Sequence, residues 1–200
     1  MDNESYFTLS NSSINAIDNY YSSDVGLTPA AIKYSKAAKY EEKVKVWTAI
    51  SKFGISGLLI TSSGLAIDQH IYKTYCLEQR LIPFIKRYHS HSNYIFWPNL
   101  ASSHYATTVC DFLILEKIEF VEKFENPANL PECRPVENFW AILKGYVYED
   151  AWCAKTLPEL ERPAYSSLHQ KITKNELASF FSTLLPGFRS VGRNWVIEKR

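Results

Sequence analysis

Apolar positions in this chain gather into short blocks divided by polar stretches, and the blocks differ in period. Glu4-Ser5-Tyr6-Phe7-Thr8-Leu9 is rich in β-formers and predicts a strand that begins almost at the first residue. Residues 10–43 are dominated by Ser, Asn, Asp, Tyr and Lys and show no clear apolar period, which predicts a long loop or inserted segment. Val44 to Ser51 reads as a strand and Gly57 to Ser62 as its neighbour. Phe53-Gly54 supplies part of the turn, so the two form a hairpin. Residues 68–88 read as a helix. Asp68 caps it, Ile71, Tyr75, Leu81 and Ile85 repeat along it, and Pro83 is expected to kink or split it.

Tyr94 to Trp97 is wholly apolar, as a buried central strand would be, and Pro98 ends it. Ser102 or Ser103 is then expected to cap a helix reaching about Lys117, with Val109, Phe112, Leu113 and Leu115 as its apolar stripe. Glu119 to Phe124 reads as a further strand and residues 125–134 as a loop. Pro135 suits the first position of a helix that runs to about Glu149, with Trp140, Leu143 and Val147 on one face. Two amphipathic helices follow, at about 158–172 and 174–186, and Arg189, Arg193, Lys199 and Arg200 make the end basic. A meander followed by alternating strands and helices predicts an α/β fold: a mixed sheet with helices on both faces and extra C-terminal helices. Right-handed crossovers set the segments at 94–97 and 119–124 beside the first strand.

Composition narrows the function classes. The 200 residues carry 22 Lys and Arg against 21 Asp and Glu, a net charge of +1, so contact with nucleic acid has to come from local patches. No apolar run approaches the ~20 residues that span a bilayer. The acidic, polar start is no secretory or transit signal. Cys76, Cys110, Cys133 and Cys153 form no CxxC pair and read as reduced thiols of an intracellular protein.

Three places bear chemistry: the first strand, the end of the run at 94–97, and the start of the helix near 136. In a sheet of this order all three converge on one edge, where carboxylates would hold two divalent cations that clamp the attacking and leaving oxygens of a phosphodiester. At these places the sequence resembles mariner-type DDE transposases. Phe96-Trp97-Pro98-Asn99-Leu100-Ala101-Ser102-Ser103-His104-Tyr105-Ala106 is similar to their FxxDNAxxHxA segment. Leu130 to Lys144, containing PVENFWAILK, is similar to SPDLNPIENLWxxLK and is the most specific match. Val46-Trp47-Thr48-Ala49-Ile50-Ser51 with Gly54 resembles VWGAISxxG, and Asn3-Glu4-Ser5-Tyr6-Phe7 resembles the DESxF opening.

The resemblance implies an RNase H-like DDE domain over residues 1–150, with the insertion at 10–43 as a clamp-like loop and 151–200 as a helical extension. It implies metal-dependent DNA cleavage and joining with Mg or Mn, DNA as partner, a homodimer through 10–43, a nuclear location, and an upstream DNA-binding region preceding the abrupt start. It places the acidic triad on Asn3, Asn99 and Glu137. Only Glu137 keeps its carboxylate as a metal ligand. Asn offers one neutral oxygen and no charge, so two-metal binding is expected to be impaired and the chain to be defective in catalysis. Asp2 and Glu4 flank Asn3 but point to the opposite face of a strand, so neither replaces it.

Other readings stand beside these. Asn3 and Asn99 also suit a strand end and a turn, and Glu137 also suits the first turn of a helix through the helix dipole. His104 matches the family's His and is a candidate to position phosphate, or else caps a helix. Trp140 reads as core. Arg80, Lys86 and Arg87 form a basic cluster that would meet DNA phosphates, or else a solvated face. The rival functions are a domesticated, non-catalytic nucleic-acid-binding or assembly module and a nuclease that tolerates both Asn residues.

Overall fold

The structure is a computed structural model that describes residues 1–9, 26, 42–62, 64–127 and 134–182. The insertion expected at 10–43, with the dimer contact assigned to it, falls almost wholly outside the described residues. So do most of the loop at 125–134 and the basic residues from Arg189 on.

Strand β1 (Asp2–Thr8) runs antiparallel to β2 (Lys43–Ser51), in register from Asp2 opposite Ala49 to Thr8 opposite Lys43. β2 is central and buried on both faces. Val44, Val46 and Ile50 enter one core, while Trp47 and Ala49 enter the other, as the two-residue period of a strand requires. Two short strands, β3 (Gly54–Ile55) and β4 (Leu59–Ser62), follow one another along the far edge of β2. Ile55 lies opposite Ile50 and Leu59 opposite Trp47, so the outer strand carries one extra residue. Ser56 fills the resulting bulge: its N–H donates to the Ala49 carbonyl at 2.8 Å and its hydroxyl accepts the Ala49 N–H at 2.9 Å. The predicted strand at 57–62 therefore begins at Leu59.

Helix α1 has three continuous parts, Gln69–Ile71, a π-helical Tyr72–Leu81 and Ile82–Tyr88. Asp68 caps it as predicted, accepting the His70 and Ile71 N–H groups at 2.9 and 2.8 Å. Pro83 does not split it. The bonds lengthen to the fifth residue back, Ile82 N–H reaching the Leu77 carbonyl, and Pro83 falls in the first turn of the closing α segment.

The runs at 94–97 and 119–124 do not form full strands. They meet at one parallel bridge, Phe96 with Phe120. Pro98 supplies no N–H, and the turn in which Glu125 and Asn126 donate to the Glu122 carbonyl draws the second run away. One bond, Asp2 N–H to the Trp97 carbonyl at 3.3 Å, ties the first run to β1 on the expected edge.

Neither Ser102 nor Ser103 caps the next helix. A 3₁₀ turn, Ser102–Tyr105, comes first, and α2 (Thr107–Leu115) starts after the extended Ala106. Val109 and Leu113 are buried, but Leu115, expected in the apolar stripe, is 78% exposed and lies off the buried face. Helix α3 (Pro135–Val147) starts on Pro135 as predicted and buries Val136, Phe139, Trp140, Leu143 and Val147. Helices α4 (Leu157–Gln170) and α5 (Lys174–Ser182) pack beside it. Thus α1 and α2 cover one face of the sheet and α3 to α5 the other.

Candidate functional site

The three positions singled out in the sequence meet at the edge of β1. Asn3 leaves β1 on the same face as Phe7, whose ring packs edge-on against Trp140 of α3 with centroids 6.1 Å apart. Glu137 stands in the first turn of α3, and Asn99 in the turn after Pro98. Asn3 Nδ2 donates to Glu137 Oε1 at 2.8 Å, and Asn99 Nδ2 donates to Asn3 Oδ1. Asn3 Oδ1 also accepts the Glu4 N–H at 2.8 Å, while Asn99 Oδ1 accepts the Ala101 N–H at 3.1 Å in an Asx turn. The result is a directed chain, Asn99 to Asn3 to Glu137, in which each side-chain amide nitrogen donates to the next residue's oxygen.

Carboxylates at all three positions would set oxygen against oxygen and would need cations between them. The two amides remove that need. They also consume acceptors: Asn3 Oδ1 already takes two hydrogen bonds, and Glu137 is the one carboxylate of the three. Among the described residues no group of three or more His, Cys, Asp and Glu side chains could hold a metal. The residues present therefore do not fit a two-cation centre.

Behind this chain lies a second set of contacts. Asp2 is 0% exposed, on the opposite face of β1 from Asn3. It accepts hydrogen bonds from Trp47 Nε1 at 2.9 Å, Tyr72 OH at 2.6 Å and the Asn99 backbone N–H at 2.9 Å. Burial, followed by the charge of Asp2, holds the Tyr72 hydroxyl far above the usual tyrosine range, so it stays a donor. The turn itself is tied down by the buried Asn126. Its Oδ1 accepts Trp97 Nε1 at 2.8 Å, and its Nδ2 donates to the Pro98 carbonyl at 2.9 Å and to Tyr105 OH at 2.7 Å.

His104 is not on an open surface. It is 1% exposed, stacks on Tyr72 with centroids 3.7 Å apart, and sets Nε2 3.3 Å from Glu4 Oε1. Burial raises the Glu4 carboxyl, but the hydrogen bond and charge of His104 and the Lys45 ammonium outweigh it and leave Glu4 below its ordinary value. Arg80 is spent internally, donating from Nε to the Leu58 carbonyl at 2.9 Å and from Nη1 to the Tyr75 carbonyl at 2.6 Å. Lys86 and Arg87 are exposed.

Sequence reasoning missed Asp2, Trp47, Tyr72 and Asn126 as a supporting layer. The strand period placed Asp2 on the wrong face for a metal ligand. No local signal shows what it meets there. Lys144, half-buried over the Phe7 ring at 5.5 Å, was also missed. Burial lowers its ammonium below the usual lysine value, and the Glu137 charge opposes this.

A cavity of about 960 Å³ opens elsewhere, lined by Phe53, Phe84, His89, Tyr94, Ile95 and Phe181 among others. Asn3, Asn99 and Glu137 do not line it, so the cavity and the candidate site are separate.

No protein-family model and no curated protein matches the sequence. Solved structures do. The Mos1 mariner paired-end complex with Mn is 15% identical over 98% of this chain and 56% of that chain, at a TM-score of 0.74. The Mos1 transposase paired-end complex with left transposon end is 14% identical over 94% of this chain and 52% of that one, at 0.72. The catalytic domain of Mos1 mariner transposase is 15% identical, covering 78% of this chain and 76% of that one, at 0.61. The chain spans little more than half the length of the first two. Identity this low speaks for the fold: the chain has the mixed α/β, RNase H-like fold of the mariner transposase catalytic domain.

Proposed function

We propose that this chain is a DDE-type transposase domain of the DNA transposition and integration class whose strand-cleaving centre is disabled. The observation that carries the reading is the chain from Asn99 through Asn3 to Glu137. Three side chains meet where a metal-dependent nuclease of this fold keeps carboxylates, and two of them are amides bonded to their neighbours. DNA is the partner. The related folds are solved on transposon ends, and Lys86 and Arg87 offer exposed charge on this chain. Nuclear residence goes with that partner.

Thermal unfolding with and without Mn²⁺ tests the reading, comparing the natural chain with Asn3→Asp plus Asn99→Asp. A ligand at 100 times its dissociation constant stabilises by about 2.7 kcal/mol, an easily read midpoint shift. The reverted protein is expected to shift and the natural chain to stay put. A natural chain that shifts equally, and loses the shift on Glu137→Gln, would overturn the reading and mark a working metal site. Duplex DNA binding that weakens steeply with salt is expected from both proteins.

A further inference from the structure

We propose that Asp2 is the positioning residue of this site: its buried carboxylate holds the Asn99 turn against β1, so that Asn99, Asn3 and Glu137 meet. The functional meaning of that geometry rests on the reading of the three as former metal-binding positions.

Asp2 precedes Asn3, so its side chain leaves β1 on the opposite face and cannot join the three. A carboxylate with no solvent exposure is costly unless it is fully hydrogen-bonded. The three donors that satisfy Asp2 come from three separate elements. Trp47 of β2 and Tyr72 of α1 both reach Oδ2, at 2.9 and 2.6 Å, and these two bonds fix the plane of the carboxylate. Oδ1 is thereby aimed at the Asn99 N–H, 2.9 Å away. The Asp2 backbone makes a second tie to the same segment, its N–H donating to the Trp97 carbonyl at 3.3 Å.

The neighbouring imidazole does not substitute for any of these. His104 Nδ1 lies 3.8 Å from Asp2 Oδ2, too far for a hydrogen bond, and its ring instead stacks on Tyr72 and backs the phenol that holds Oδ2. Cations in a two-metal centre would draw their ligands together. Here the residues do not fit such cations, and Asn126, which ties down Trp97 and Pro98, does not reach β1, so the contact between the turn and β1 needs another hold. Asp2 supplies it from behind, and in doing so commits both of its oxygens away from the site.

The test is amide hydrogen exchange by NMR on the full chain carrying Asp2→Asn. The substitution puts an NH₂ group where two side-chain donors or the Asn99 N–H already point. Exchange of the Asn99 backbone amide, and of the Asn3 and Asn99 side-chain amides, is expected to rise at least tenfold beyond any rise at Phe96 and Val121. Those two amides belong to the adjacent bridge and report general loosening. A change at Asn99 no larger than theirs would overturn the proposal. Tyr72→Phe is a milder second variant that removes one donor to Oδ2 and keeps the ring, so a fold lost with Asp2→Asn does not end the test. It is expected to raise Asn99 exchange about threefold relative to the same references, and an unchanged ratio overturns the proposal. A separate arm measures Mn²⁺ affinity by electron paramagnetic resonance in the Asn3→Asp, Asn99→Asp background. There Tyr72→Phe is expected to weaken the dissociation constant about tenfold, and unaltered affinity counts against positioning. If that background binds no Mn²⁺ at all, the metal-site reading fails, and the exchange ratios still decide the role of Asp2.

Discussion

At positions 3 and 99 an amide differs from a carboxylate by more than charge, because it has a donor that a carboxylate lacks. Asn99→Asp would turn an N–H facing Asn3 Oδ1 into an oxygen facing it. Asn3→Asp would do the same against Glu137 Oε1. Each single reversion is expected to cost about 1–3 kcal/mol in metal-free urea unfolding, the range for stranding a part-buried polar group. The double substitution should cost more than the sum, since only then do two new carboxylates face each other across the Asn99–Asn3 contact with no cation between them. Single reversions that leave stability unmoved would mean the amide chain holds nothing together. A second prediction concerns His89, which is buried between the Ser51 and Ser92 hydroxyls at 3.0 and 3.2 Å and among aromatic rings. Burial, helped by the Met1 ammonium and then by the Lys52 charge, lowers its pKa from the usual 6.5. The folded state favours the neutral ring. The stability it contributes is thus complete above about 6.5 and is lost as pH falls toward the lowered value. Unfolding free energy measured between pH 7.5 and 5 should decline, and His89→Gln should flatten that decline. At this scale the motif strings made Asn3, Asn99 and Glu137 legible. Asp2 and Asn126 were not, because their partners lie far off in sequence and no local period reveals a hydrogen bond.

Element ends were the least legible part of the chain, and two of them show why. Helix α2 closes in a Schellman motif, Lys117 N–H bonding to the Ile114 carbonyl at 3.0 Å and Ile118 N–H to the Leu113 carbonyl at 2.9 Å. Lys117 takes the left-handed position, with φ of 56°. Glycine is the usual residue there, so its absence hid the stop signal. Lys117→Gly is expected to stabilise by about 0.5–1 kcal/mol, because the Cβ strain disappears. A lower melting point would show that the Lys side chain contributes more than its backbone costs. Helix α5, by contrast, starts on a legible capping box. Thr173 N–H donates to Glu176 Oε2 at 2.8 Å, and Glu176 N–H returns to Thr173 Oγ1 at 3.2 Å. Glu176 Oε1 also accepts Tyr146 OH from α3 at 2.9 Å. Thr173→Ala should cost about 1 kcal/mol and raise amide exchange through α5 first. The strands at 94–97 and 119–124 mark the opposite failure. The first is an apolar run and the second carries Phe120, Val121 and Phe124, but Phe96 and Trp97 spend their burial on packing, while Ile95 is 46% and Phe124 86% exposed. Burial and ladder pairing are separate properties, and sequence pattern reports only the first.

The whole molecule is organised around β2, whose alternate residues feed two cores. The sheet with helices on both faces was readable because strand and helix periods alternate clearly along the chain. How far the C-terminal helices share that body was not readable, because an amphipathic stripe shows that a helix has a buried face without showing what buries it. Leu160, Ala164 and Leu168 of α4, with Leu177 and Phe180 of α5, lie in one cluster with Phe7 of β1, Val46 of β2 and Trp140 of α3. Those are the elements that carry Asn3 and Glu137, so the C-terminal helices and the site should lose structure together. Leu160→Ala removes a fully buried side chain and is expected to cost about 2–5 kcal/mol. The urea midpoint should fall with its slope unchanged, in a single transition seen alike by far-UV circular dichroism and by Trp fluorescence. Exchange at the β1 amides should rise with exchange in α4. If residues from 151 onward were instead an independent appendage, the same substitution would melt α4 alone. β1 exchange would then stand still and two transitions would separate. That outcome would detach the helical extension from the site, and would leave the geometry of Asn3, Asn99 and Glu137 to the sheet and α3 by themselves.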